Sequence, residues 1–289
     1  MTTLDKNKFI LGTVQFGQKY GVTNFTNKLN KKNIFKILSF AWENNVRMFD
    51  TAPSYNTEEL LGEFSRVNGI QNKIKVITKI AEIKEENKIE YFIRSSVEKS
   101  MKYIGTKIDT LFFHQPRDIQ LLIDKEELLM KIKNDYDIKN IGFSIYNINE
   151  RKKLLKFSFN PAIQYPLSIA NQSFKRYNFG IGKNFARSIF MQGLLLNKKI
   201  NNYKKLTLSL RVSVLKYHNL LDFKKIDPLK LSLSFISHIK NIDFFLLGVD
   251  NISQLEEIVN SKLINKIEPK FIKELNSFFN KDDIDPRNW

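Results

Sequence analysis

Residues 46–55 read VRMFDTAPSY, and this stretch decides the fold that we predict for the chain. An apolar run ends at Asp50, and Tyr55 follows five residues later. Two later apolar runs end in the same manner, one at Lys79 and one at His114. A reactive polar residue directly after a buried strand marks the carboxyl-terminal edge of that strand, where parallel α/β barrels carry out their chemistry. The four residues are therefore predicted to meet at one edge of a sheet.

Short β-like runs alternate with longer amphipathic stretches along the chain, a pattern typical of repeated βα units. Several runs are almost wholly apolar, as expected of strands that are covered on both faces. Eight strands are predicted, at residues 9–14, 46–51, 75–80, 110–114, 140–145, 162–166, 186–190 and 244–249. Helices are predicted at residues 32–43, 57–65, 90–103, 120–131 and 149–156. Asn149 and Ser253 are the predicted N-caps of the helices after strands five and eight.

Eight such units predict a single (β/α)8 TIM barrel, with residues 1–289 forming one domain. The rival is a doubly wound open sheet, which would need a turn of the form G-x-G-x-x-G after the first strand. Residues 12–17 read GTVQFG and lack that spacing, and no Pro-, Gly- or Ser-rich linker divides the chain. An extra helix is expected within residues 197–225, before a helix at residues 228–239.

The chain has 289 residues, a formal net charge of +17 and no cysteine. The lack of cysteine excludes disulfides and thiolate metal sites, and no metal site is predicted. Lysines are spread along the whole chain and form no basic motif, so we do not expect binding to nucleic acid. The positive field would instead attract phosphorylated ligands such as a nucleotide.

The N-terminal residues 1–14 do not resemble a signal peptide, because no small-residue cleavage pattern follows their short apolar run. No apolar stretch approaches the roughly 18 residues that a membrane span needs. We therefore expect a cytoplasmic protein without a membrane segment. The sequence does not indicate an oligomeric state.

Asp50, Tyr55, Lys79 and His114 together suit the reduction of a carbonyl group by hydride transfer. The developing alkoxide needs a proton, which Tyr55 could deliver as a general acid. A Lys79 cation nearby would lower the high pKa of the phenol, and Asp50 would hold that cation. A neutral His114 would orient the carbonyl. Each residue alone has a structural explanation, but their joint placement after strands two, three and four favours catalysis.

The motifs around these residues resemble those of the aldo-keto reductases. Residues 49–62, FDTAPSYNTEELLG, are similar to the D-T-A-x-x-Y-G-x-S-E-x-x-L-G signature of that family. VITK at 76–79 is similar to its lysine strand, and IDTLFFH at 108–114 to its histidine strand. The similarity extends over almost the whole chain through IGFS at 141–144, AIQ at 162–164, FLLGV at 245–249 and SQLEE at 253–257.

The resemblance implies a nicotinamide cofactor that lies across the barrel mouth without a Rossmann fold. The implied contacts are Ser144 and Gln164 for the carboxamide, Gly12, Thr13 and Asp50 for the nicotinamide ribose, the loop from Ser188 to Leu194 for the pyrophosphate, and Gly248, Gln254 and Glu257 for the adenosine half. The free N–H groups of the helix expected to open at Ser253 would favour phosphate.

Departures from the family pattern affect the turn after Tyr55 and the cofactor site. Asn56 stands where the family has glycine, which would alter the turn. Arg187 stands where an aromatic ring commonly stacks on the nicotinamide, although a guanidinium plane can stack as well. Asp250 follows strand eight where Lys or Arg often holds a 2′-phosphate, and it would repel that phosphate if it points inward. NADP(H) is the cofactor that the family implies by default, and NAD(H) is its rival.

Residues 12–21 and 187–195 resemble a bacterial subgroup associated with surface-polysaccharide or modified-sugar biosynthesis. This implies a small carbonyl substrate that is a sugar or is linked to one. The alternative is a nucleotide-binding regulatory protein on the same barrel, against which the intact set of four residues argues. Specificity is expected from the loops at residues 16–20, 114–117 and 191–202 and from the tail after residue 260.

Overall fold

The computed structural model describes residues 3–22, 29–175, 182–198 and 206–288. Eight parallel strands close into a barrel in which each strand pairs with the next along the chain and the last pairs with the first. The strands are β1 Phe9–Gly12, β2 Met48–Asp50, β3 Lys75–Ile80, β4 Ile108–Phe113, β5 Asn140–Ser144, β6 Ala162–Pro166, β7 Asn184–Arg187 and β8 Phe244–Gly248. The predicted (β/α)8 barrel is confirmed, and the open sheet is excluded.

The α-helices of the described residues lie between the strands and after them. They are α1 Val14–Gly17, α2 Lys31–Glu43, α3 Glu58–Val67, α4 Ile89–Ile104, α5 Asp118–Leu122, α6 Glu126–Asp135, α7 Ile148–Leu154, α8 Leu208–Phe223, α9 Pro228–Ser237, α10 Ile252–Val259 and α11 Pro269–Ser277. None of the helices described is long and apolar enough to cross a membrane.

Most predicted elements differ from the observed ones by one or two residues at their ends, and two differ further. The helix predicted at 120–131 is divided into α5 and α6, because Asp124 between them has non-helical backbone angles. The strand predicted at 186–190 begins at Asn184 and ends at Arg187, since Ser188 takes a positive φ of 58°. The extra helix expected within 197–225 is α8, and residues 199–205 of that expectation lie outside the described residues.

Both predicted N-caps are wrong by two residues. Asn147, not Asn149, caps α7, where its side chain accepts from the Glu150 N–H at 3.0 Å while the Glu150 carboxylate accepts from the Asn147 N–H. Asn251, not Ser253, caps α10 by accepting from the Gln254 N–H at 2.9 Å. Asparagine three residues before Glu or Gln is the capping signature in both cases.

A small buried cluster fills the barrel interior, apart from the larger core between strands and helices. Its fully buried members are Ile10, Met48, Ile77, Phe112, Ala162 and Phe185. Side chains two positions apart on a strand point to the same face. The next inward-facing layer, towards the carboxyl-terminal edge, therefore consists of the residues two positions further on, which are Gly12, Asp50, Lys79, His114, Gln164 and Arg187. All six are residues that the sequence singled out.

Candidate active site

A buried ion pair lies at the centre of the carboxyl-terminal edge. The Lys79 ammonium donates to Asp50 Oδ1 at 2.7 Å and to the Thr51 carbonyl at 2.9 Å. Gln164 Nε2 donates to the other carboxylate oxygen of Asp50 at 2.9 Å. Burial lowers the pKa of Lys79, and the Asp50 charge and hydrogen bond oppose that effect. β2, β3 and β6 are thus joined through one carboxylate.

The backbone at Asp50 is held by a chain of threonine hydroxyls. The Asp50 carbonyl accepts from both the N–H and the hydroxyl of Thr13, each at 3.0 Å. Thr57 then links Thr13 and Thr51, with oxygen–oxygen distances of 2.8 and 2.7 Å. These buried bonds fix the end of β2 against the end of β1, and so fix the direction of the Asp50 side chain.

Tyr55 ends a short 3₁₀ turn, Pro53–Tyr55, that follows β2. Asn56 closes this turn in the left-handed conformation, with φ of 57° and ψ of 39°. Asparagine tolerates that conformation, so the turn keeps a geometry that glycine would also adopt. On its other side the turn rests on Gly17, where a β-carbon would lie only 1.7 Å from the Tyr55 carbonyl oxygen.

The Tyr55 ring lies between Lys79 and His114. The Lys79 ammonium is 4.9 Å from the ring centroid, and the His114 ring meets it edge-on at a centroid distance of 6.2 Å. Burial raises the pKa of the Tyr55 phenol, Asp50 raises it further, and Arg187 lowers it. The net shift is therefore upward, opposite to the lowering that was expected from Lys79, because burial outweighs the nearby positive charge. Tyr55 is a protonated phenol at neutral pH, the form that a general acid requires.

His114 is uncharged at neutral pH. Burial, with Lys79 and Arg187 nearby, lowers the pKa of His114 to about 3. A neutral imidazole can donate a hydrogen bond from one ring nitrogen without carrying charge. The site therefore combines a neutral donor, His114, with a protonated phenol, Tyr55, beside an ion pair.

A cavity of about 370 Å³ opens beside this cluster, across the ends of β6, β7, β8 and β1. It is lined by nine of the predicted cofactor contacts, which are Gly12, Thr13, Asp50, Gln164, Arg187, Ser188, Gly248, Gln254 and Glu257. Tyr55 also lines it.

Two predicted contacts, Ser144 and Leu194, are not brought to this cavity. Ser144 is 2% exposed and is paired in register with Gln164. Leu194 is fully buried, and its carbonyl lies 3.0 Å from Nε2 of His218.

Several residues of the site were not assigned from the sequence, among them Tyr20, Gln15 and Tyr146. Tyr20 and Gln15 line the cavity. Tyr146 lies beside it, with the Arg187 guanidinium carbon 4.3 Å from its ring centroid. Tyr20 falls in the loop expected to set specificity, and Tyr146 follows β5 by two residues, so the strand-edge criterion could have found it.

Gln15 has a feature that the sequence does not signal. Its amide covers Gly248 so closely that a β-carbon on that glycine would lie 2.4 Å from both amide atoms. Gln15 Oε1 is buried there and has no hydrogen-bond partner among the residues that the structure describes. A buried acceptor without a partner is costly, and a donor from a ligand in the cavity would satisfy it.

Comparisons with known proteins agree with the barrel fold and identify a family. A family model described as the Aldo/keto reductase family matches residues 8–280. The glycerol dehydrogenase of Gluconobacter oxydans is similar in fold, with a TM-score of 0.69, 18% identity and coverage of 94% of this chain and 91% of that one. A candidate aldo-keto reductase from Pseudomonas aeruginosa is similar with a TM-score of 0.63, 18% identity and coverage of 90% and 92%. No curated protein sequence matches the chain significantly.

Proposed function

Because this chain belongs to the aldo/keto reductase family, we propose that it is a nicotinamide-dependent carbonyl reductase with Tyr55 as its general acid. The observation that carries the proposal is the meeting of Tyr55, His114 and the Lys79–Asp50 pair beside one cavity. A protein that only bound a nucleotide would have no need of a buried cation against a phenol ring.

The residues divide the work as follows. Neutral His114 would donate to the carbonyl oxygen of the substrate and place it near the Tyr55 hydroxyl. Tyr55 would pass its proton to that oxygen as negative charge develops there. Lys79, held by Asp50, would keep a positive charge beside the phenol ring and stabilise the tyrosinate that forms. The Gln164 amide would keep Asp50 in place through its bond to Oδ2.

The residues that line the cavity fit a nicotinamide dinucleotide. Gly12 and Gly248 are paired across β1 and β8 and both line the cavity, with the Gln15 amide packed against Gly248. Gln15 Oε1 is an acceptor without a partner, suited to a ribose hydroxyl. Gln164 donates from Nε2 to Asp50, so its Oε1 remains to accept from the amide N–H groups of a carboxamide. When bound, a reduced nicotinamide would supply the hydride.

Asp250, which lines the cavity after β8, is the residue that would influence the choice of coenzyme. We propose NADP(H) as the family default and NAD(H) as the rival that the Asp250 charge favours.

The remaining parts of the proposal concern substrate, location and domain structure. The substrate would be a small aldehyde or ketone, and the subgroup resemblance points to a sugar or a nucleotide-linked sugar. The protein would act in the cytoplasm, with residues 1–289 as one domain.

The test compares Tyr55→Phe with Tyr91→Phe, a change at a tyrosine that is 72% exposed. Reduction of a generic aldehyde is followed by nicotinamide absorbance, and coenzyme binding by fluorescence titration. We expect Tyr55→Phe to abolish reduction and to keep coenzyme binding, while Tyr91→Phe should keep both. Unchanged turnover in Tyr55→Phe would contradict the assignment. Coenzyme binding without reduction of any aldehyde by the wild type would favour the regulatory alternative.

A further inference from the structure

Two arginines share one aromatic ring near the cavity. The guanidinium carbons of Arg187 and Arg287 lie 4.3 and 4.4 Å from the ring centroid of Tyr146. The two cations differ in their partners. Arg287 is paired with Asp285 and lies 3.6 Å from a carboxylate oxygen of Glu150. Its charge is therefore already compensated.

Arg187 has no ion pair among the described residues, and the nearby Asp285 charge, which acts on it through space, is already paired with Arg287. Its guanidinium donates to the Ile145 carbonyl at 3.2 Å and to the Ser188 hydroxyl at 3.3 Å, both neutral acceptors. In the part of the chain that the structure describes, no carboxylate lies within ion-pair distance of it. Arg187 is half-buried and lines the cavity together with Tyr55 and Gln164. A fixed, partly desolvated guanidinium without an anion is costly unless a ligand supplies one.

The position of this charge separates it from the junction of β8 and β1. The Ile145 carbonyl and the Tyr146 ring hold the guanidinium on the β5 side of the barrel. The glycine pair and the orphaned Gln15 oxygen, which suit the dinucleotide, lie at the junction of β8 and β1. Arg187 itself ends β7, which is next to β8 in the ring of eight strands, and its side chain reaches from there towards the end of β5. The guanidinium thus lies on the side of the cavity away from the junction of β8 and β1.

The charge also reaches the reacting groups. Arg187 lowers the pKa of both Tyr55 and His114 through space. An anion bound at Arg187 would therefore lie close to a carbonyl group placed at Tyr55. The Lys79 charge is unavailable for this purpose, because Asp50 holds it at 2.7 Å.

We propose that Arg187 binds an oxyanion of the substrate, a carboxylate or a phosphate, and so makes the enzyme selective for anionic aldehydes or ketones. The guanidinium fork suits both oxyanions, because it can donate two parallel hydrogen bonds. The Tyr146 ring would hold the fork in one plane. This inference rests on the proposed reductase function and adds the chemical class of the substrate to it.

The kinetic test uses pairs of aldehydes that differ by the anionic group. Butanal is compared with 4-oxobutanoate, and glyceraldehyde with glyceraldehyde 3-phosphate, which separates carboxylate from phosphate. The measured quantity is the ratio of kcat/KM for the anionic aldehyde to that for its neutral counterpart. This ratio cancels any loss that both substrates share. The variants are Arg187→Met, Arg187→Lys and the matched control Arg287→Met, which removes the same net charge from the same ring.

We expect the wild type to favour the anionic member of at least one pair. Arg187→Met should lower that ratio by about 10- to 100-fold, mainly through KM, since a charge-assisted hydrogen bond is lost. Arg187→Lys should give an intermediate ratio, because it keeps the charge and loses the fork. Arg287→Met should keep the wild-type ratio. An unchanged ratio in Arg187→Met, or an equal fall in Arg287→Met, would overturn the proposal.

A second measurement does not depend on turnover. Succinate and inorganic phosphate are titrated calorimetrically into each protein, with and without saturating NADH or NADPH, at constant ionic strength. We expect binding of at least one anion that persists with coenzyme and is lost only in the Arg187 variants. Binding that coenzyme abolishes would assign Arg187 to the coenzyme phosphates and overturn the proposal, as would no binding to the wild type.

The two proposals can fail separately. If no aldehyde is reduced with either coenzyme, the reductase function fails, and the calorimetry still decides whether Arg187 binds an anion. If neutral and anionic aldehydes are reduced with the same ratio in every variant, only the selectivity fails.

Discussion

The Lys79 ammonium group donates to Asp50 Oδ1 at 2.7 Å, and the two residues are only 1% and 4% exposed. Removing either partner leaves a buried charge alone, which costs about 3–5 kcal/mol. We therefore expect Asp50→Asn and Lys79→Met each to lower the free energy of unfolding by about that amount. The double variant should lose far less than the sum, which urea denaturation of all four proteins would measure.

The exposed pair of Lys88 and Glu85, 2.9 Å apart, serves as a control for this cycle. Lys88→Met should change stability little, because water screens such a pair. Additive losses at Asp50 and Lys79 would show that their interaction contributes nothing.

His114 should give the protein a pH-dependent stability. Its pKa is about 3 in the folded protein and near 6.5 when exposed. Between these values the unfolded chain binds more protons, so stability rises with pH across the window and the gain is complete above about pH 6.5. The slope from one proton reaches about 1.4 kcal/mol per pH unit. His114→Gln should flatten the rise between pH 4.5 and 7 in urea denaturation, and an equal slope in both proteins would refute the assignment.

Asp118 should give a pH dependence of stability with the opposite sign to that of His114. Burial raises its pKa to about 6 from an ordinary 3.8. Among the described residues Oδ2 has no hydrogen-bond partner, and Oδ1 accepts from the Ile83 N–H at 3.4 Å. The folded protein then binds more protons between these values, so stability falls as pH rises through the window. Asp118→Asn should remove this fall and raise the unfolding free energy above pH 6. A variant less stable than wild type at pH 7 would contradict the argument.

Gly17 should matter more for activity than for stability. A β-carbon at Gly17 would meet the Tyr55 carbonyl oxygen at 1.7 Å, and one at Gly62 would meet the Tyr103 carbonyl oxygen at 2.1 Å. We expect both alanine variants to lose about 1–3 kcal/mol of stability from overpacking. Only Gly17→Ala displaces Tyr55, so it alone should lower kcat/KM for an aldehyde, by up to about 100-fold. Equal activities of the two variants would show that Tyr55 is not positioned through Gly17.

Asp250 should influence the choice between coenzymes. It lines the cavity, and its N–H donates to the Gln254 side chain at 2.8 Å. Removing a negative charge near a 2′-phosphate should favour NADPH, so Asp250→Ser should raise the affinity for NADPH relative to NADH by about 10-fold. Glu256→Gln is the control, because it removes a charge close by in the chain from a residue outside the cavity lining. Fluorescence titration with both coenzymes measures this ratio of affinities. An equal change of the ratio in the two variants would count against Asp250.

The strands could be predicted because fully buried strands read as apolar runs, and all eight were located. The start of β7 could not, since Asn184 is polar and its N–H is bound to Asp243, a residue distant in the sequence. The N-caps could have been found from the Asn147–Glu150 and Asn251–Gln254 spacings.

The site was predictable wherever a residue acts from the end of a strand. Asp50, Lys79, His114, Gln164 and Arg187 all lie in one inward-facing layer, and alternation along a strand is visible in sequence. Contacts made between loops were not predictable. The Arg287 contact with Tyr146 brings the tail to the loop after β5, and the upward pKa shift of Tyr55 depends on burial that no local pattern encodes.

The pairing of Gly12 with Gly248 joins the first strand of the barrel to the last. During synthesis β1 leaves the ribosome early, whereas its partner β8 emerges only after most of the remaining chain has been made. A nascent chain that stops after α9 would have seven strands, two unpaired edges at β1 and β7, and half of the proposed coenzyme site. A dinucleotide bound at this junction would contact both β1 and β8 and so stabilise the last strand pairing to form. Competence to bind it would thus report that the barrel has closed.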